Sequence, residues 1–337
     1  MQRIDGYIDL CEILDIPYKN YLDTPEGYAL LYDLLRSKED VNITKYHPGS
    51  LLSFSFAWNH QTFYFKFNSN ISSYNELIME EVLQDLGFVH PAYDLAALGN
   101  IKGVVSANYR VVGATYVSGY DVLKDAFFDE AKKLVMCFSK TSFNKHKLLD
   151  PFNNLEDIRY ALEHRYQNRE DKEEIVRHLM QKFVDMFLFS CITSQSDYQF
   201  DNWSIIEYED GTVDLECCCD NDRFMISDPQ ILFLSLFVSR SQNALSRYGI
   251  VCNATLGENL LRFHKISPRE DIAKLKDMLF VLESERLKDY FARIQNKTGV
   301  MVPASVQVEN YEKFFIQKRF LKLVLEKSEI LQRKKPN

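Results

Sequence analysis

Hydrophobic and polar positions alternate with a period of two over Leu52–Trp58, where Phe54, Phe56 and Trp58 share a face. The same alternation returns over Thr62–Asn68, with Phe63, Phe65 and Phe67 on one side. That period predicts two half-buried strands, and Asn59-His60 between them reads as the tight turn of a hairpin. The period then lengthens. Tyr74–Leu86 repeats its apolar residues at helical spacing, with Ser72-Ser73 placed to cap its start and Gly87 to end it. Val104–Val112 reads as strand again, and Gly113 and Gly119 bracket a connection into sequence that is largely helical from residue 120. There the pattern predicts long helices over Glu170–Cys191, Pro268–Ile294 and Asn310–Gln332, the last burying Phe314, Phe315, Leu321, Val324 and Leu325. One hairpin interrupts them: Trp203–Tyr208 and Thr212–Cys217 flank the turn Glu209-Asp210-Gly211. Residues 1–45, rich in Tyr, Leu and Asp and helical over Gly27–Leu35, read as a segment bracing the aromatic hairpin and its helix.

Composition narrows the class. With 337 residues, 46% of them hydrophobic and 26% charged, the chain has the makeup of a soluble protein with a substantial core. A net charge of −8 gives no expectation of a nucleic-acid partner, although residues 311–337 alone carry eight Lys/Arg against three Glu. The start of the chain lacks a basic segment followed by an apolar core, and apolar runs such as Ile231–Val238 fall far short of the ~20 residues that span a bilayer. No membrane association and a cytoplasmic location are therefore expected. The seven cysteines include no C-x2-C pair, and Cys217-Cys218-Cys219 on a strand would point to alternate faces. They read as buried thiols in a reducing compartment.

The candidate chemistry lies around the second hairpin. Asp197 is followed five residues later by Asn202, and after the hairpin by Asp220-Asn221-Asp222. Phosphoryl transfer from Mg-ATP uses these parts: a carboxylate that takes or orients the nucleophile's proton, and an amide oxygen and second carboxylate that hold magnesium. Lys66 sits on the face of its strand opposite the phenylalanines. A lysine there serves either as the solvent side of the alternation or as the phosphate-neutralising lysine of a nucleotide cleft, held by a glutamate of the next helix. Glu76 and Glu80 both qualify as that glutamate, with Glu76 preferred. A hinge is expected near Ser106–Gly113, where backbone groups around Ser106 and Asn108 would meet adenine. Neither G-x-G-x2-G nor G-x4-G-K-[ST] occurs, and His47-Pro48-Gly49-Ser50 is the nearest candidate for a phosphate-covering loop. A strand-rich first half, a helical second half and chemistry at their junction predict an α+β, two-lobed, protein-kinase-like fold. Residues 1–45 brace it, 46–112 form a small β-rich lobe with one long helix, and 113–337 form a larger helical lobe.

Phe65-Lys66, Tyr74-Asn75-Glu76, Val105-Ser106-Ala107-Asn108-Tyr109, Asp197-x4-Asn202-Trp203 and Asp220-Asn221-Asp222 together resemble the HipA-like kinase family, over residues 52–330. The resemblance implies Asp197 as catalytic base, Asn202 and Asp220 as magnesium ligands, and Lys66 on the ATP phosphates. It also implies a Ser or Thr of a protein substrate as acceptor and, since some members are toxins, an antitoxin-type partner. The chain departs from the family in its catalytic loop. Tyr198-Gln199-Phe200-Asp201 holds no basic residue where family members usually carry one. That departure keeps open a catalytically weak, nucleotide-binding pseudokinase or a regulatory interaction module.

Overall fold

The aromatic hairpin lies inside a seven-stranded sheet of order β1-β2-β6-β7-β5-β4-β3. A computed structural model describes residues 2–45, 53–67, 70–88, 90–127, 155–193, 203–216 and 279–333. The strands of this sheet are β1 (Arg3–Ile4), β2 (Tyr7–Asp9), β3 (Val41–Lys45), β4 (Ser53–Trp58), β5 (Gln61–Phe67), β6 (Tyr93–Leu98) and β7 (Ile101–Ala107). All neighbours run antiparallel except β2 and β6, which are parallel. The β4–β5 turn is Asn59-His60, both at positive φ (49° and 63°), the backbone of a two-residue turn that matches strand twist.

Phe54, Phe56, Phe63 and Phe65 point to one face of the sheet and pack with α1 (Leu10–Leu14) and α2 (Pro25–Arg36) through Leu10, Leu14, Leu31 and Leu35. Each such side chain taken out of water contributes about 1.5–3 kcal/mol, so this cluster is the main adhesive of the layer. The Thr24 hydroxyl accepts the Gly27 N–H at 3.0 Å and Pro25 opens the first turn, which starts α2 two residues before the periodicity predicts. Residues 1–45 thus supply both helices of this face and three strands of the sheet.

The other face carries α3 (Asn70–Asp85), which packs on β6 and β7. It begins four residues before the predicted start, so Ser72 and Ser73 lie within its first turn. Its end follows expectation. Gly87 takes φ +71°, the Phe88 N–H bonds Leu83 O, and the Gly87 N–H bonds Gln84 O. Beside α3 lies α7 (Ser284–Thr298), which arrives from far down the chain. The predicted helix over Pro268–Ile294 is interrupted, because residues 281–283 form a turn.

The described chain divides into two units: Met1–Arg110 with Ser284–Tyr311, and Val111–Glu283 with Glu312–Asn337. The second contains a three-stranded antiparallel sheet of order β10-β9-β8. Its strands are β8 (Thr115–Ser118), β9 (Ser204–Glu207) and β10 (Val213–Glu216). Helical residues 119–127 (α4), α5 (Leu155–Arg165) and α6 (Lys172–Thr193) accompany it. In α8 (Ala304–Arg333) Phe314 is buried as expected, whereas Phe315 is 65% exposed. The chain is a mixed α/β protein, and among its described residues no helix is long and apolar enough to cross a membrane.

Candidate functional site

Lys66 stands on β5 with strands on both sides, opposite Ser53 of β4 and Val104 of β7. The strand is fixed from below by ring contacts, Phe54 on Phe65 at 5.2 Å and Phe56 on Phe63 at 5.6 Å. Because Phe63 and Phe65 face the core, alternation sends Lys66 to the α3 side. There its Nζ donates to Glu76 Oε1 at 3.3 Å. The Glu76 side chain is fully buried, while that of Lys66 is 26% exposed. A carboxylate without water needs a cation nearby. The Lys66 side chain, bound to Glu76, is partly exposed, which fits an additional anionic ligand such as a phosphate. Close approach of β7 helps to hold this geometry: a Cβ on Gly103 would lie 2.2 Å from the Lys66 carbonyl oxygen.

Glu80, the alternative partner, is engaged elsewhere. Its Oε1 accepts Lys297 Nζ at 2.5 Å and its Oε2 accepts the Tyr93 N–H at 2.8 Å. Burial raises the Glu80 pKa; Lys297, the Tyr93 N–H and His90 pull it the other way without cancelling the rise. Glu76 is therefore the carboxylate that meets Lys66, one helical turn before Glu80.

Ser106 and Asn108 lie where β7 leaves the sheet, β7 ending at Ala107 and not running on to residue 112. Asn108 donates its N–H to Thr62 O at 2.8 Å, and its Oδ1 accepts the Arg110 N–H at 3.1 Å. Alternation along an antiparallel strand then turns the backbone of Ser106 toward Tyr64 of β5 as well. Ala107 turns its N–H and C=O to the opposite side, toward β6, whose pairing with β7 ends at Tyr93 opposite Ser106.

Trp203 opens the second hairpin. It is buried, meets Phe183 of α6 edge-on at 4.8 Å, and accepts the Gly119 N–H on its carbonyl at 3.0 Å. Ser204 pairs with Glu216, so the two ends of the hairpin emerge together. At its far end Glu207 accepts Arg165 Nε at 3.0 Å and the Tyr166 hydroxyl at 2.9 Å. Burial opposes ionisation of Glu207, but these two bonds and the nearby guanidinium charges outweigh it and hold the carboxyl below its usual range. A groove of about 780 Å³ beside Gly211 and His178 lies at that far end, away from Trp203. The expected base Asp197, the magnesium ligands Asn202 and Asp220, neighbouring Asp222 and the loop His47–Ser50 lie outside the described residues.

The sequence matches no protein-family model and no curated protein. The structure is similar to that of a Helicobacter pylori proinflammatory kinase, CtkA, with a TM-score of 0.54 and 14% identity, covering 87% of this chain and 96% of that one. It is also similar to a Shewanella oneidensis structure of the toxin–antitoxin proteins HipA and HipB with operator DNA. There the TM-score is 0.50 and the identity 13%, covering 89% of this chain and 67% of that one. Across this sequence distance the likeness is one of fold: the chain has a kinase-like fold, similar to those of CtkA and HipA.

Proposed function

We propose that this protein is a two-lobed, ATP- and Mg²⁺-dependent kinase that phosphorylates Ser or Thr of a protein substrate. The observation that carries the reading is the Lys66–Glu76 pair, 3.3 Å apart on β5 and α3 of a kinase-like fold. In this reading Glu76 holds Lys66 against the α- and β-phosphates of ATP, and Lys66 neutralises part of their charge. Backbone groups around Ser106 and Asn108, where β7 leaves the sheet, receive adenine. Asp197 accepts the proton of the acceptor hydroxyl as its oxygen bonds the γ-phosphorus and the bond to the β-phosphate oxygen breaks, releasing ADP. Asn202 and Asp220 hold magnesium, which when bound offsets charge on the β- and γ-phosphates. Support for their convergence comes from the hairpin. Asn202 directly precedes Trp203, Asp220 lies four residues beyond Glu216, and Ser204 and Glu216 are paired.

The test is transfer of labelled γ-phosphate to protein by the parent chain and by Asp197→Ala. A fall of about a hundredfold or more is expected, as for loss of a positioned base; equal transfer by the variant removes Asp197 from the mechanism. A second reading has its own observation. Tyr198-Gln199-Phe200-Asp201 supplies no cation to the transferring phosphoryl group, and loss of one stabilising donor costs on the order of a hundredfold. Mg-ATP binding without transfer would select this pseudokinase or regulatory-module reading. The likeness to a HipA solved with HipB supports looking for an antitoxin-type partner.

A further inference from the structure

The second half of α3 is acidic on one side, and α7 lays a basic stripe against it. Arg286, Tyr290, Arg293 and Lys297 recur at helical spacing on α7. Arg293 Nη1 donates to Glu81 Oε2 at 3.0 Å and to Asp85 Oδ1 at 2.9 Å, and Lys297 Nζ reaches Glu80 Oε1 at 2.5 Å. The Tyr290 hydroxyl adds a bond to Asp85 Oδ2 at 3.1 Å, with Arg286 3.8 Å from the same oxygen. Side chains of Glu80 and Glu81 are each 8% exposed, so both carboxylates depend on these partners. The inward side of α3, including Leu77, Ile78 and Val82, is apolar and buried. Apolar burial is non-directional, so the position of α3 along its axis is fixed by directed contacts: these ion pairs and the Tyr93 N–H on Glu80. Glu76 lies one turn from Glu80 on the same helix. A slide of a single residue's rise, about 1.5 Å, would take the 3.3 Å Lys66–Glu76 pair out of hydrogen-bond reach.

We propose that Arg293 and Lys297 are positioning residues: α7 sets the axial register of α3, and thereby holds Glu76 against Lys66. The inference deepens the kinase reading and rests on it for its consequence at ATP, but the positional claim can be read without nucleotide. An acylating reagent needs access to the amine, and the hydrogen bond to Glu76 at 3.3 Å, on a lysine that is mostly buried, holds that of Lys66 out of reach. Mass spectrometry of the full chain after brief acylation would compare Lys66 with Lys102 of the same sheet. In Arg293→Gln/Lys297→Gln the labelling of Lys66 is expected to rise several-fold, toward the level in Glu76→Gln, with Lys102 unchanged. The charge-keeping Arg293→Lys/Lys297→Arg is expected to restore the parent's value. Unchanged Lys66 labelling in the folded Gln variant, or an equal rise at both lysines, overturns the proposal. If the double variant fails to fold, Lys297→Gln alone, which leaves Arg293 in place, decides by the same ratio. ATP titration of the same proteins separates the two claims. No binding by the parent defeats the kinase reading while the labelling ratio still decides the clamp; parent-like affinity in a variant whose Lys66 is released shows the register without consequence for nucleotide.

Discussion

Lys66, partly exposed, lies 3.3 Å from the fully buried carboxylate of Glu76, and this asymmetry determines what its substitution does. Lys66→Met removes the cation proposed to meet the phosphates and takes from buried Glu76 its ion-pair partner. Phosphoryl transfer should fall about a hundredfold or more, by analogy with loss of one electrostatic donor, and stability should fall as well. Glu76→Gln keeps the side chain's shape and the lysine, so it should retain more stability than Lys66→Met while losing much of the transfer. Steady-state rates beside urea unfolding curves would check both, and a Lys66→Met protein with parent-like transfer would count against the site. Cys11 is buried too. Burial pushes its thiol up to about 11; the Gly99 N–H opposes the rise and Asp9 adds to it. At pH 8 only ~10⁻³ of such a thiol is ionised. Cys11 should resist alkylation in the native protein and react once urea unfolds it; rapid native labelling would contradict its burial.

At the scale of elements, the parts written in local pattern were legible. The β4–β5 hairpin followed from alternating aromatics and Asn59-His60, and the Schellman end of α3 from Gly87. The side of the sheet that Lys66 faces followed from the same alternation. Strand β6 left no such pattern because Leu95, Ala96 and Leu98 are buried whatever their parity. Strands β1 to β3, two to five residues long, are too short to show a period. The α3–α7 contacts depend on partners more than 200 residues apart. Gly103 shows how tightly these elements meet. Gly103→Ala would drive a Cβ against the Lys66 carbonyl, and both ATP affinity and thermal stability should decline together. An unaffected protein would mean that β5 and β7 can separate without cost. Glu207 predicts a pH effect in the other sheet. Its folded pKa is lowered, so its stabilisation is complete above the unfolded value of about 4.3 and is lost as pH falls through the lowered folded value. Glu207→Gln should flatten that acid limb, followed through Trp203 fluorescence in a Trp58→Phe background; an identical acid limb would refute the assignment.

At the scale of the whole molecule, the first unit is discontinuous, with α7 returned to it after all three strands of the second unit's sheet. A chain ending at Glu283 keeps every strand of the seven-stranded sheet and loses the cations facing Glu80, Glu81 and Asp85. Leaving a buried carboxylate without its partner costs about 3–5 kcal/mol, less here because Arg293 and Lys297 are partly exposed. Amide exchange over residues 77–85 should accelerate while the β4–β5 hairpin stays protected; unchanged protection of α3 would show α7 dispensable. Whether these parts form an ATP site is decided by calorimetric titration of the full chain with ATP, with and without magnesium, beside Lys66→Met and Asp220→Ala. Magnesium-dependent binding is expected, lost in Asp220→Ala and weakened at least tenfold in Lys66→Met. A folded parent protein that takes up no ATP in either condition would contradict the kinase reading.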